Sequence, residues 1–80
     1  MRKIPNKRKG KTLGERIRDE REDKDWSQQY FASEIGISPS MLSQIEADKR
    51  EPSLFYFKRI VKKLNVSADY LLGYKDEKNI

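Results

Sequence analysis

Apolar residues in the middle of the chain recur at helical spacing and then break. Phe31 and Ile35 stand four residues apart, and Leu42 and Ile45 stand three apart, so each pair shares one face of a helix. Between the pairs come Gly36, which adopts a left-handed conformation at little cost, then Ser38 as an N-cap and Pro39 at a first helical position. The pattern predicts two short helices, Gln28 to Ile35 and Pro39 to about Ala47, the first capped by Ser27. A turn that tight brings helices together at roughly 90 to 120°. The crossing point then accepts only a small side chain, which Ala32 supplies.

The same reasoning predicts three more helices. Thr12-Leu13-Gly14-Glu15 fits a capping box, so a first helix should run from Leu13 to about Lys24 with Leu13 and Ile17 inward and its other positions charged. Trp26 in the following loop should cover the core. After Ser53, the residues Leu54, Phe57, Ile60, Val61 and Leu64 recur at three- and four-residue steps and define an amphipathic fourth helix. Ser67 caps a fifth, with Asp69 in its first turn beside the positive end of the helix dipole and Gly73 as its stop. No strand-like alternation appears, so the fold class is all α, a five-helix domain over residues 12–74. Periodic apolar stripes are normally buried faces. Function must therefore come from the polar residues beside them.

Composition narrows that function. Eighty residues make one domain, near the lower limit for a single hydrophobic core. There is no cysteine and no histidine, so thiolate or imidazole metal ligands and the commonest general base at neutral pH are missing. Enzyme activity, a metal and a cofactor are not expected, and no small-molecule site is evident. No run of seven or more apolar residues follows the basic start, and nothing approaches a membrane span, so the expected setting is the cytoplasm.

The net charge of +5 is unevenly placed. Arg2, Lys3, Lys7, Arg8, Lys9 and Lys11 are six positive charges with no acid among them, whereas residues 13–80 hold 12 basic and 13 acidic side chains, a balance of −1. Residues 1–11 are too polar to fold alone and are expected to form a flexible basic arm. Residues 75–80 are expected to form a short polar tail. Any phosphate binding by the globular part must use local patches and helix N-termini.

Counted from Gln28, the motif has Gln first, Ala fifth, Gly ninth and apolar residues at positions four, eight, ten, fifteen and eighteen. This spacing resembles the helix-turn-helix of the phage repressor and Cro class. The resemblance extends outward: Leu13 to Arg21 resemble the family's first helix, Ile45 to Ser53 its loop after the recognition helix, and Val66 to Gly73 its last helix. About sixty of the eighty residues are covered. The resemblance implies a bacterial or phage-encoded transcriptional regulator that acts as a repressor. It would bind a pseudo-palindromic double-stranded DNA operator as a homodimer.

A recognition helix presents its outward, N-terminal residues to base edges. With Leu42 and Ile45 inward, the opposite face carries Pro39, Ser40, Ser43 and Gln44 as candidate base contacts. Gln44 leads, because a bidentate amide–adenine pair is worth about 1 to 3 kcal/mol of discrimination. Pro39 departs from the polar residue often found there and offers at most apolar contact with a thymine methyl. Gln28, Met41, Lys49 and Arg50 are the candidate backbone contacts, and the basic arm is a candidate for minor-groove contact. The resemblance also implies a partly buried ion pair between Arg21 and Glu46. Tyr70, Leu71, Leu72 and Tyr74 are candidates for a dimer interface, with Leu71 or Leu72 expected to close the core instead. A competing reading is an antitoxin-type interaction module that also binds DNA to regulate itself.

Overall fold

In the computed structural model, which describes residues 11–78, five helices follow one another: α1 (Leu13–Asp23), α2 (Gln28–Ile35), α3 (Pro39–Glu46), α4 (Leu54–Leu64) and α5 (Ala68–Leu72). Each starts at a hydroxyl. Thr12, Ser27, Ser38, Ser53 and Ser67 accept from the backbone N–H of Glu15, Tyr30, Met41, Tyr56 and Tyr70, satisfying one otherwise unpaired donor per helix. At Thr12 the capping box is complete, because Glu15 accepts in return from the Thr12 N–H. α4 ends on Asn65 in the left-handed region at φ 57°, and α5 ends on Gly73 at φ 86°.

The core is built where the helices converge. Ile17, Phe31, Ala32, Ile35, Leu42, Ile45, Ile60, Leu64, Val66, Tyr70 and Leu71 are buried, and Leu13, Trp26, Ile37, Met41, Phe57 and Val61 pack around them. Full burial of one such large apolar side chain is worth about 1.5 to 3 kcal/mol. α2 packs on α3 and α4, while α1 packs on α3, α4 and α5. Trp26 lies over Phe31, with ring centroids 5.8 Å apart and planes 23° apart, and so covers one edge of the core.

Three expectations are corrected by this packing. Leu54 is 67% exposed, because it opens α4 at the rim before the helix turns its Phe57–Ile60–Leu64 stripe inward. α1 buries Gly14, Arg16 and Glu20 besides Ile17 and the expected Arg21, because α3 and α5 cover two of its faces, while Leu13 packs half-buried against the core. Tyr70 belongs to the core and not to an exposed interface, whereas Leu71, one of the two residues expected to close the core, does so. α5 is only one and a half turns long, and Arg16 holds its Tyr70 inward, donating to the Tyr70 carbonyl at 3.4 Å with its guanidinium 5.1 Å from the ring centre. Leu72 and Tyr74 remain exposed.

The segment after α5 returns to α1. Ser67 donates its N–H to the Lys78 carbonyl, and Lys78 Nζ lies 3.0 Å from the buried Glu20 carboxylate, which raises the lysine's pKa above its ordinary value. Of the expected basic arm only Lys11 is among the described residues, and it ion-pairs with Asp19.

α1 meets α3 closely at Gly14. A Cβ built there would stand 2.4 Å from the Ile45 carbonyl oxygen and 2.6 Å from that of Glu46, both backbone atoms that cannot step aside. Gly14→Ala is therefore expected to cost about 2 to 3 kcal/mol by overpacking. Gly73→Ala, where a Cβ meets nothing within 4 Å, is expected to cost only about 1 kcal/mol for its left-handed backbone. Urea denaturation of the two variants checks both the sizes and the order.

Candidate nucleic-acid interface

The turn between α2 and α3 is closed by one acceptor. Gly36, at φ 88°, and Ile37 both donate their N–H to the Ala32 carbonyl, at 2.9 and 3.0 Å. Ala32 itself is fully buried at the crossing, and Ser38 and Pro39 restart the chain as helix at once. Leu42 and Ile45 then face the core, which turns Pro39, Ser40, Ser43 and Gln44 to the outside, all exposed. Among the described residues the side chains of Ser40, Ser43 and Gln44 make no hydrogen bond. The contrast with the cap serines is chemical. Ser27, Ser38, Ser53 and Ser67 use their oxygens within the fold, while the α3 face keeps two hydroxyls and one carboxamide uncommitted. Met41 is half-buried and lines a groove with Ile37, Ile45, Arg50 and Tyr56, so its side chain belongs in part to the core edge.

The position of α3 is fixed by charge. Arg21 Nε donates to Glu46 Oε2 at 2.8 Å and Nη2 to Glu46 Oε1 at 3.1 Å, a bidentate pair whose side chains are 8% and 3% exposed. Arg21 Nη1 also donates to the Trp26 carbonyl at 2.7 Å. The hydrogen bond with Glu46 raises the Arg21 pKa further above its already high value, so the guanidinium stays charged throughout the accessible range. Gln28 joins the same carboxylate, its Nε2 donating to Glu46 Oε1 at 2.9 Å. That amide nitrogen carries two protons and Glu46 takes one of them. Gln28 is thus held at the first turn of α2 with one donor left over.

A second joint escapes sequence reading. Asp48, just past α3 and in the left-handed region at φ 61°, accepts from the Gly14 N–H at 3.0 Å and from the Thr12 hydroxyl. Its carboxylate thereby ties the loop after α3 to the positive end of α1. No local pattern announces this, because the partners lie 34 and 36 residues apart. Lys49 and Arg50 follow it, exposed, on the same loop. The α3 face, Gln28 and the loop residues are thus ordered by one set of contacts, whereas Leu72 and Tyr74 sit on α5 and the segment after it.

Two helices joined by three residues, the second anchored by an ion pair and presenting free polar groups outward, define a helix-turn-helix domain. The chain belongs to the helix-turn-helix family of the phage repressor and Cro class, whose profile matches residues 17–71. It is 36% identical over 66 residues to the HTH-type transcriptional regulator ImmR of Bacillus subtilis, covering 82% of this chain and 51% of that protein. To YazB of the same organism, named an uncharacterized HTH-type transcriptional regulator, it is 43% identical over 58 residues, covering 72% and 84% respectively. Among solved structures, the P22 c2 repressor protein in complex with synthetic operator 9T superposes with a TM-score of 0.77 at 32% identity, covering 81% of this chain and 98% of that one. The chain spans about half the length of ImmR. The family is one of transcriptional regulators and not of enzymes.

The buried pair makes a stability prediction. Arg21→Ala strands the Glu46 carboxylate and is expected to cost about 3 to 5 kcal/mol, whereas an exposed pair would cost at most about 1 kcal/mol. Replacing both partners with apolar residues of similar volume, Arg21→Met with Glu46→Leu, should recover most of the loss. The urea midpoints of the single and double variants measure the difference.

Proposed function

We propose that the chain is a sequence-specific double-stranded DNA-binding transcriptional regulator of the bacterial cytoplasm that acts as a repressor. It inserts α3 into the major groove as a dimer on a pseudo-palindromic operator. The observation that carries this reading is the uncommitted polar face of α3, Ser40, Ser43 and Gln44, beside a buried apolar face. Gln44 is the leading base contact, since its carboxamide can both donate and accept along one adenine edge. The two serines give weaker discrimination or bridge through water, and Pro39 offers only apolar contact. Gln28, with its spare amide proton and the free backbone N–H groups of the first α2 turn, serves one phosphate. Lys49 and Arg50 serve another, with Met41 against sugar. The relatives support this class: ImmR is a transcriptional regulator by name, and the P22 c2 repressor was solved in complex with operator.

Dimerisation follows from the small number of base-reading groups. Three or four side chains specify few base pairs, and twofold symmetry doubles the readout at half-sites about 34 to 36 Å apart. With Tyr70 and Leu71 buried, the exposed interface candidates are Leu72 and Tyr74, and the exposed Leu54 adds to them. Leu72 and Leu54 line one groove with Leu13, Pro52 and Phe57, and it is this groove that we assign to the partner copy.

Selection of bound sequences from a random duplex pool at two salt concentrations tests the reading. The wild-type chain should enrich two related half-sites one helical turn apart. Gln44→Ala should alter the preferred base at one position of each half, Gln28→Ala should weaken all sequences alike, and Leu72→Glu should abolish the paired arrangement. A pool with no enriched motif would contradict sequence-specific binding.

A further inference from the structure

α2 ends with its last carbonyls pointing out of the helix and has no basic residue of its own in the last turn. A helix C-terminus carries partial negative charge, and Glu34 beside it adds a full one. The compensating cations come from a different helix. Arg59 Nη1 donates to the Ile35 carbonyl at 3.2 Å, and Lys63 Nζ donates to Glu34 at 2.9 Å and to the Tyr30 hydroxyl at 3.3 Å. Arg59 and Lys63 are four residues apart, so they stand on one ridge of α4, and Phe55 continues that ridge one turn earlier. The Arg59 guanidinium lies 5.1 Å from the Phe55 ring centre, which explains a phenylalanine that is 61% exposed.

The guanidinium also touches the turn. A Cβ on Gly36 would stand 2.7 Å from Arg59 Nη1. Arg59 thus sits where α2 stops, against the residue whose left-handed backbone redirects the chain into α3.

We propose that Arg59, braced on Phe55, is a positioning residue of the helix-turn-helix. From α4 it neutralises the end of α2 and fixes the Gly36 turn, and so sets the angle at which α3 is presented. Its effect on operator binding rests on the DNA-binding reading above, but its effect on the turn does not. Arg59 in this role makes no phosphate contact. The energy it supplies is local to the turn and does not depend on counterion release.

Two readouts on the full chain test the proposal. The first is amide hydrogen exchange at Gly36 and Ile37, whose N–H groups close the turn on Ala32, compared with amides in the middle of α1. Arg59→Ala should speed exchange at these two amides about three- to tenfold relative to α1, the size expected when a cation leaves a helix C-terminus. Phe55→Ala, at an exposed position, should act in the same direction more weakly, and Arg59→Lys should restore part of the protection. The second readout is affinity for the selected duplex as a function of salt. Arg59→Ala should weaken binding by a similar factor and leave the slope of log K against log salt unchanged.

Unchanged exchange at Gly36 and Ile37 would overturn the proposal. So would an equal acceleration of all core amides, which would make Arg59 a general stabiliser. A slope reduced by about 0.9 would make it a phosphate contact. If the wild-type chain binds no duplex, the DNA-binding reading fails and the exchange ratio alone still decides the role of Arg59.

Discussion

A single carboxylate, that of Glu46, joins three helices. It terminates α3, accepts two hydrogen bonds from Arg21 of α1 and a third from Gln28 at the start of α2. Burying an ion pair in this way costs desolvation that the Coulomb attraction only partly offsets, and an apolar pair of matching volume is often equally stable. Orientation is what the charges add. Two apolar residues would tolerate a slide of α3 along α1, whereas a bidentate fork with a third donor on the same carboxylate defines one register. The close approach of Gly14 to the Ile45 and Glu46 carbonyls depends on that register, as does the capture of the α1 start by Asp48.

α3 is held at three places by chemically different means. Its far end is held by Glu46 and Asp48, its inner face by Leu42 and Ile45 in the core, and its near end by the turn at Gly36. Such fixation matters for the proposed role of Gln44, because a carboxamide that reads a base must reach its partner within hydrogen-bond geometry. A loosely held helix would lose in ordering what such a contact gains. The positive charge surplus of the chain lies ahead of the globular part, at residues 2–11, so the α3 face offers hydrogen-bonding groups and not bulk charge.

Much of the fold was legible along the chain. Helix boundaries fall within a residue of those expected, because each start carries a hydroxyl cap and two of the ends a left-handed glycine, signals that act within four residues. The motif core of Phe31, Ala32, Ile35, Leu42 and Ile45 is fully legible for the same reason, as its spacing is local. What escaped reading acts across distance in sequence. Arg16 and Glu20 look like surface charges on a helical pattern, and only the packing of α5 and the return of Lys78 make them buried. Asp48 and Arg59 look like solvated loop and helix charges, and their partners lie 34 and 24 residues away. For α5 the sequence leaves Leu71 and Leu72 as alternatives for closing the core and offers Tyr70 to an interface, because a five-residue helix is too short for periodicity to separate its faces.

The central claim is that the outward face of α3 meets DNA while the back of α1 and the chain end do not. Mapping amide chemical-shift changes as a selected duplex is added tests it most directly. The account predicts the largest changes at Ser40, Met41, Ser43 and Gln44, with Gln28 next and Asp19, Asp23 and Lys78 unmoved. Changes centred on α1 and the chain end, with α3 silent, would contradict it.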